Sequence, residues 1–95
     1  MFLVQFSSGE VERGLKRKGF SERNRDHKYF VYESIAGKKS IVITKLSHGT
    51  KSIGDSLISK MSKQCGLKKN QFVDLINCPL EQQGYEKILK KQGLL

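Results

Sequence analysis

The chain has 95 residues, which is enough for one domain with a modest hydrophobic core. Hydrophobic residues make up 37% of the chain and charged residues 28%, a balance typical of folded proteins and unlike that of disordered ones. Lysine and arginine total 18 against 9 aspartate and glutamate residues, which gives a formal net charge of +9 at pH 7. This excess on so small a domain favours a polyanionic partner, nucleic acid above all, over a basic surface that serves only solubility.

Composition also argues against membrane and metal-dependent classes of protein. No stretch is long and apolar enough to form a membrane-spanning helix, and the apolar start at residues 1–6 is too short for a signal peptide. We therefore expect no membrane partner and a cytoplasmic location. Acidic residues are few and unclustered, which disfavours a magnesium nuclease, and no glycine-rich phosphate loop is present.

The two cysteines, Cys65 and Cys78, are too few for a disulfide scaffold. Together with the two histidines they show no close metal-ligand spacing, so we expect neither a metal nor a cofactor. Both cysteines are predicted to be small, buried, apolar side chains.

The first predicted element is a helix that follows Ser7 and reaches Lys18. Ser7 and Glu10 have the spacing of a capping box, in which each side chain accepts a hydrogen bond from the other residue's backbone. Apolar residues recur four apart on one face, as the buried side of a helix requires. Gly19 is placed to adopt the left-handed conformation that ends a helix, and Phe20 can fold back onto it.

Three strands are predicted next, and the second has the highest content of aromatic and β-branched residues. The strands cover residues 20–25, 27–34 and 40–46, with a hairpin turn at 36–39. Alternation along the second strand places His27 and Tyr29 on one face of the sheet and Lys28 on the other. Tyr29 is therefore predicted either to stack on a base from an exposed face or to pack under a neighbouring helix.

The rest of the chain is predicted to be helical. The helices run from about Ser52 to Gly66, over 69–77 and over 81–92. Ser52 and Asp55 again have capping-box spacing, and apolar residues recur every four positions as a core stripe. Pro79 separates the last two helices because it cannot continue the preceding one.

This order of elements predicts an α+β fold. Consecutive strands with short connections form a three-stranded antiparallel sheet, and the helices cover one face of it. The α-β-β-β-α arrangement resembles that of double-stranded-RNA-binding domains, with two C-terminal helices appended. The segment 1–6 is expected to add an edge strand.

Three short motifs follow one another along this predicted fold. They are Gly14-Leu15-Lys16-Arg17-Lys18-Gly19-Phe20, Asp26-His27-Lys28-Tyr29-Phe30 and Ser47-His48-Gly49. Their order and spacing, over about residues 7–67, resemble those of the HicA toxin family. The tail from residue 68, with its Asp-Leu-Ile-Asn-Cys-Pro-Leu run at Asp74–Leu80, is similar to the C-terminal extension of a longer subgroup of that family. The chain departs from the family at Arg25-Asp26, where many members have Gly-Ser.

The resemblance implies a ribonuclease toxin of a type II toxin–antitoxin pair, which cleaves mRNA and so blocks translation. It also implies a HicB-type antitoxin as protein partner, encoded by a neighbouring gene. On this interpretation the single domain 1–95 consists of a HicA-like core, 7–67, and a helical extension, 68–95. The alternative is a non-catalytic RNA-binding module that uses the same basic surface. A third interpretation is a domain that binds an acidic protein.

His27 is the first candidate for catalysis. RNA carries its own nucleophile, the 2′-hydroxyl, so a ribonuclease without metal needs a base for that proton and an acid for the leaving oxygen. Histidine suits both roles because its ordinary pKa lies near working pH. His48 is the second candidate, either as the partner of His27 or as an ordinary turn residue.

Candidate RNA contacts come from the same two motifs and the residues beside them. They are Arg25, Lys28, Lys45, Ser47, Thr50 and Lys51. Arg25 and Lys45 rank before Lys28, because alternation turns Lys28 to the other face of the sheet. The residues after Lys45 are expected near a helix N-terminus, which attracts phosphate.

Overall fold

The structure is a computed structural model, described over residues 5–95. Its elements, in chain order, are β1 (Phe6–Ser7), α1 (Ser8–Arg17), β2 (Phe20–Asn24), β3 (Lys28–Glu33), β4 (Lys39–Leu46), β5 (Ser52–Ile53), α2 (Asp55–Gln64), α3 (Lys69–Asn77) and α4 (Gln82–Lys91). The expected edge strand at 1–6 falls largely outside the described residues. Its end, Phe6, starts the short strand β1, which pairs with β5 in a separate two-stranded sheet.

The first helix begins and ends as predicted. The Ser7 hydroxyl accepts the Glu10 N–H at 3.1 Å, and the Glu10 carboxylate accepts the Ser7 N–H at 2.9 Å. Gly19 has a φ of +100°, a conformation that glycine adopts without the steric cost of a Cβ. The carbonyl of Gly19 accepts the Glu33 N–H at 2.9 Å, so this turn delivers the chain directly into the sheet.

The main sheet is three-stranded and antiparallel, in the order β2-β3-β4, and the predicted α+β fold is confirmed. Phe30 and Tyr32 of β3 point into the core and are fully buried. The Tyr32 hydroxyl donates a hydrogen bond of 3.0 Å to Glu86 of α4, so helices cover this face. Tyr29 is only partly buried and Ile43 is exposed, since alternation turns both to the uncovered face, which we call the open face.

The predicted start of the second long helix was wrong. Ser52 and Ile53 form β5, and α2 begins only at Asp55, with Gly54 at its N-cap and no side-chain capping bond. Ser52 pairs with Ser7 of β1, so its backbone belongs to a strand and cannot cap a helix. The spacing of Ser52 and Asp55 therefore imitates a capping box without forming one.

The two C-terminal helices share one hydrophobic core with the sheet and α1. Side chains of both helices are almost completely buried; they are Phe72, Leu75, Ile76, Tyr85 and Leu89. Gly14 of α1 lies so close to Ile76 that a Cβ at this glycine would meet the Ile76 Cα at 3.0 Å. The Lys18 side chain is also buried, and its ammonium donates to the carbonyls of Leu75 at 2.8 Å and Leu80 at 2.6 Å. The run from Gly14 to Phe20 thus anchors the extension, and Lys18 is not a surface charge.

The two cysteines differ in burial. Cys65 is buried as predicted, but Cys78 is exposed, so the prediction for Cys78 was wrong. Cys78 follows α3 with a φ of +85°, in the left-handed region. Cys78 thus ends the helix at the surface, with its side chain outside the core.

Candidate active site

The candidate site lies where the β2–β3 turn meets the loop that follows β4. In the turn, the Arg25 N–H donates to the His27 carbonyl at 2.9 Å. In the loop, the Thr50 N–H donates to the Ser47 carbonyl at 3.1 Å, which closes a tight turn around His48 and Gly49. Because Lys28 pairs with Leu46, the sheet register brings both turns to the same end of the sheet.

A small cavity of about 90 Å³ opens between these turns and α2. Its lining consists of His27, Lys45, Leu46, Ser47, Thr50, Leu57 and Lys60. The cavity, called the His27 cavity below, thus combines one imidazole, two ammonium groups and two hydroxyl groups. The fold brings together four of the residues that the sequence singled out: His27, Lys45, Ser47 and Thr50.

Lys60 was missed by the sequence analysis. It lies on the exposed side of α2, where Lys63 follows one turn later with the same charge. Of these two lysines only Lys60 lines the His27 cavity, since α2 packs against β4 with Lys60 near this end of the sheet. Helical periodicity alone carries no signal that separates the two.

His27 is half-buried, with 37% of its side chain exposed. Its nearest acid is Asp26, whose carboxylate lies 3.9 Å from Nε2, within electrostatic range but beyond a hydrogen bond. The Tyr29 hydroxyl donates to the other oxygen of Asp26 at 3.0 Å, and this bond lowers the pKa of Asp26 and raises that of Tyr29. Asp26 therefore stays ionised beside His27.

The two lysines of the His27 cavity are available to an anion. Among residues 5–95, neither Lys45 nor Lys60 lies within salt-bridge distance of a carboxylate. Lys28 differs, since its ammonium pairs with Glu12 of α1 at 3.2 Å on the covered side of the sheet. The structure therefore does not bring Lys28 to the cavity that Lys45, Ser47 and Thr50 line.

His48 is held outside the cavity. Its Nε2 lies 2.8 Å from the carbonyl oxygen of Arg25. A carbonyl only accepts, so this nitrogen carries the proton and donates it. His48 thus joins the β4 loop to the turn that carries His27, and it does not line the His27 cavity with that histidine.

The remaining predicted contacts lie away from the cavity. Arg25 is exposed and lines the groove on the open face. The exposed Lys51 accepts the Ser8 N–H at its carbonyl, at 2.8 Å. The expected helix N-terminus beside them was wrong, because β5 intervenes and α2 begins at Asp55, which is paired with Lys69.

No metal centre or membrane span is found in the part of the chain that the structure describes. Its histidine, cysteine, aspartate and glutamate side chains form no group of three or more that could hold a metal ion. None of the helices within 5–95 is long and apolar enough to cross a bilayer.

Comparison of the chain with protein-family models, with curated proteins and with solved structures found no match. The function of the site is therefore inferred from its own chemistry.

Proposed function

We propose that this protein is a metal-independent ribonuclease that uses His27 as its general base. The observation that carries the proposal is the composition of the His27 cavity, where an imidazole lies beside Lys45 and Lys60. A proton acceptor next to two ammonium groups suits a reaction in which a phosphodiester gains negative charge.

The reaction needs only the RNA, these side chains and water. His27 removes the proton from a 2′-hydroxyl, and the freed oxygen attacks the adjacent phosphorus. The bond between O2′ and phosphorus forms while the bond between phosphorus and O5′ breaks. The products are a 2′,3′-cyclic phosphate and a 5′-hydroxyl, whose proton comes from a lysine ammonium or from water.

The other residues of the His27 cavity suit the phosphate. Lys45 and Lys60 would stabilise the charge on its non-bridging oxygens, and the hydroxyls of Ser47 and Thr50 can donate to the same oxygens. Asp26 would stabilise the imidazolium that forms at His27, although 3.9 Å is too long for it to fix the ring by a hydrogen bond.

The resemblance to HicA toxins suggests the RNA substrate and the protein partner of this activity. RNA cleavage would act on mRNA in the cytoplasm, and a HicB-type antitoxin would neutralise it. Expression of the chain in a growing host should then arrest growth, whereas His27→Ala should not. Co-expression of a HicB-type protein from a neighbouring gene should restore growth, and growth arrest by both variants would argue against toxicity through cleavage.

A non-catalytic RNA-binding module is the second candidate, and one observation favours it. His48 is engaged with the Arg25 carbonyl, so the His27 cavity contains a single histidine in place of an acid–base pair. The same lysines and hydroxyls would then bind a phosphate without cleaving the chain.

Cleavage of RNA in excess EDTA separates the two candidates. Wild-type protein should cleave a mixed-sequence RNA, and His27→Ala should reduce the rate by about 10²- to 10⁴-fold, the usual contribution of a general base. Lys63→Ala is the control, because it removes an exposed charge of α2 outside the cavity. Absence of cleavage together with salt-sensitive binding would support the module instead.

A further inference from the structure

The open face carries a row of three side chains across all three strands. Tyr29 in the central strand pairs with Arg23 of β2 on one side and with Lys45 of β4 on the other. Cross-strand neighbours on one face lie about 5 Å apart, so an aromatic ring stands between two cations that span about 10 Å.

The Tyr29 ring is held in place and is accessible. Its hydroxyl donates to Asp26 at 3.0 Å, which restricts the tilt of the ring. The ring lines a groove of about 460 Å³ on one side and a recess of about 240 Å³ on the other. Val31 and the exposed Ile43 continue the surface as an apolar floor beside the ring.

This surface is continuous with the His27 cavity. Lys45 lines both the cavity and the recess, and Tyr29 and Ile43 line both the recess and the groove. A chain of phosphates that enters the cavity can therefore continue onto the open face past Lys45.

We propose that Tyr29 and its flanking cations form a nucleotide-binding subsite for single-stranded RNA next to the cleaved bond. The proposal rests on the proposed function, since the His27 cavity defines where the neighbouring phosphate lies. The base stacks on the Tyr29 ring, and the phosphates on its two sides contact Arg23 and Lys45.

Three features favour an unpaired strand over other occupants. Only an unpaired base can turn its flat side onto a ring, because a duplex keeps both sides of each base stacked. The row places an aromatic ring between two cations, which matches an RNA strand in which a base lies between two phosphates. A second copy of the chain is disfavoured, because each copy has a net charge of +9.

The test compares the affinity of variants for two probes, measured by fluorescence anisotropy. The first probe is a short 2′-O-methyl oligonucleotide, which lacks the nucleophile and stays intact. The second is the same backbone without bases. Tyr29→Leu should weaken binding of the first probe about tenfold and leave the second unchanged, whereas Tyr29→Phe keeps the ring and should retain most of the wild-type affinity for both.

Arg23→Ala is an independent variant on the opposite strand of the row. It should weaken both probes and reduce the slope of log affinity against log salt by about 0.7. Lys63→Ala, which preserves the whole row, should keep the wild-type preference for the probe with bases. Equal affinities of wild type and Tyr29→Leu for the first probe would overturn the proposal. The open face would then be a candidate surface for binding a protein.

These outcomes are separable from those of the cleavage assay. A Tyr29-dependent preference for bases without any cleavage would refute the ribonuclease and retain the subsite. Cleavage that depends on His27 but not on Tyr29, with no preference for bases, would retain the ribonuclease and refute the subsite.

Discussion

His48 and Arg25 are joined by a hydrogen bond of 2.8 Å between the histidine Nε2 and the arginine carbonyl oxygen. This bond ties the loop after β4 to the turn that carries His27. The two histidines therefore differ in position: His27 lines the cavity, and His48 is bonded to the turn beside it.

Loss of His48 should impair cleavage mildly. His48→Ala removes one hydrogen bond, of about 1 kcal/mol, so we expect the cleavage rate to fall by up to about tenfold. His48→Gln retains a side-chain N–H that can reach a carbonyl and should recover most of the rate. Measured rates in EDTA for both variants test this, and a loss with His48→Ala as large as that with His27→Ala would make His48 a catalytic residue.

Lys60 and Lys63 carry the same charge on one helix, so their alanine variants separate the effect of position from that of charge. Lys60→Ala removes a cation of the His27 cavity, so RNA affinity should fall and the salt slope should decrease by about 0.7. Lys63→Ala should change both quantities less, because that lysine does not line the cavity. Titrations at several salt concentrations measure the slopes, and identical effects of the two variants would show that only overall charge matters.

The buried Lys18 should matter for stability. Lys18→Met leaves the carbonyls of Leu75 and Leu80 without their donor, which should lower the free energy of unfolding by about 2–3 kcal/mol. Lys16→Met breaks only the partly exposed pair with Glu22 and should cost less than about 1 kcal/mol. Urea unfolding followed by circular dichroism gives both values, and equal losses would contradict the buried position of Lys18.

The two cysteines should differ in reactivity. Burial raises the pKa of the Cys65 thiol to about 12, whereas Cys78 is exposed. Since the thiolate is the reactive form, a chromogenic thiol reagent at neutral pH should modify Cys78 alone in the native protein. Denaturant should expose the second thiol, and Cys78→Ser should abolish the native reaction. Rapid reaction of both thiols in the native protein would contradict the packing of Cys65.

Local patterns predicted most of the fold. The capping box at Ser7, the left-handed Gly19 and the alternation around Phe30 each depend on near neighbours in the chain, so the sequence could reveal them. The pairing of β1 with β5 could not be foreseen, because it joins two-residue strands that are far apart in sequence. That pairing displaced the predicted start of α2.

Only part of the candidate site could be predicted, because local patterns place only some of its residues. Residues on one strand or one turn, such as His27 and Ser47, are placed by local periodicity and by the sheet register. Lys60 and the hydrogen bond from His48 depend on how α2 and the β4 loop pack, which is a tertiary property. The exposed row around Tyr29 follows from the register between strands, which alternation within one strand does not determine.

The most direct test of the central claim is the dependence of cleavage on the RNA 2′-hydroxyl and on His27 together. One oligonucleotide sequence is prepared with ribose, 2′-deoxyribose and 2′-O-methylribose, and each form is incubated with protein in excess EDTA. We predict that wild type cleaves only the ribose form, that it leaves 2′,3′-cyclic phosphate ends, and that His27→Ala cleaves the ribose form at least about 10²-fold more slowly. Cleavage of the deoxy form, or equal cleavage of the ribose form by His27→Ala, would contradict the account.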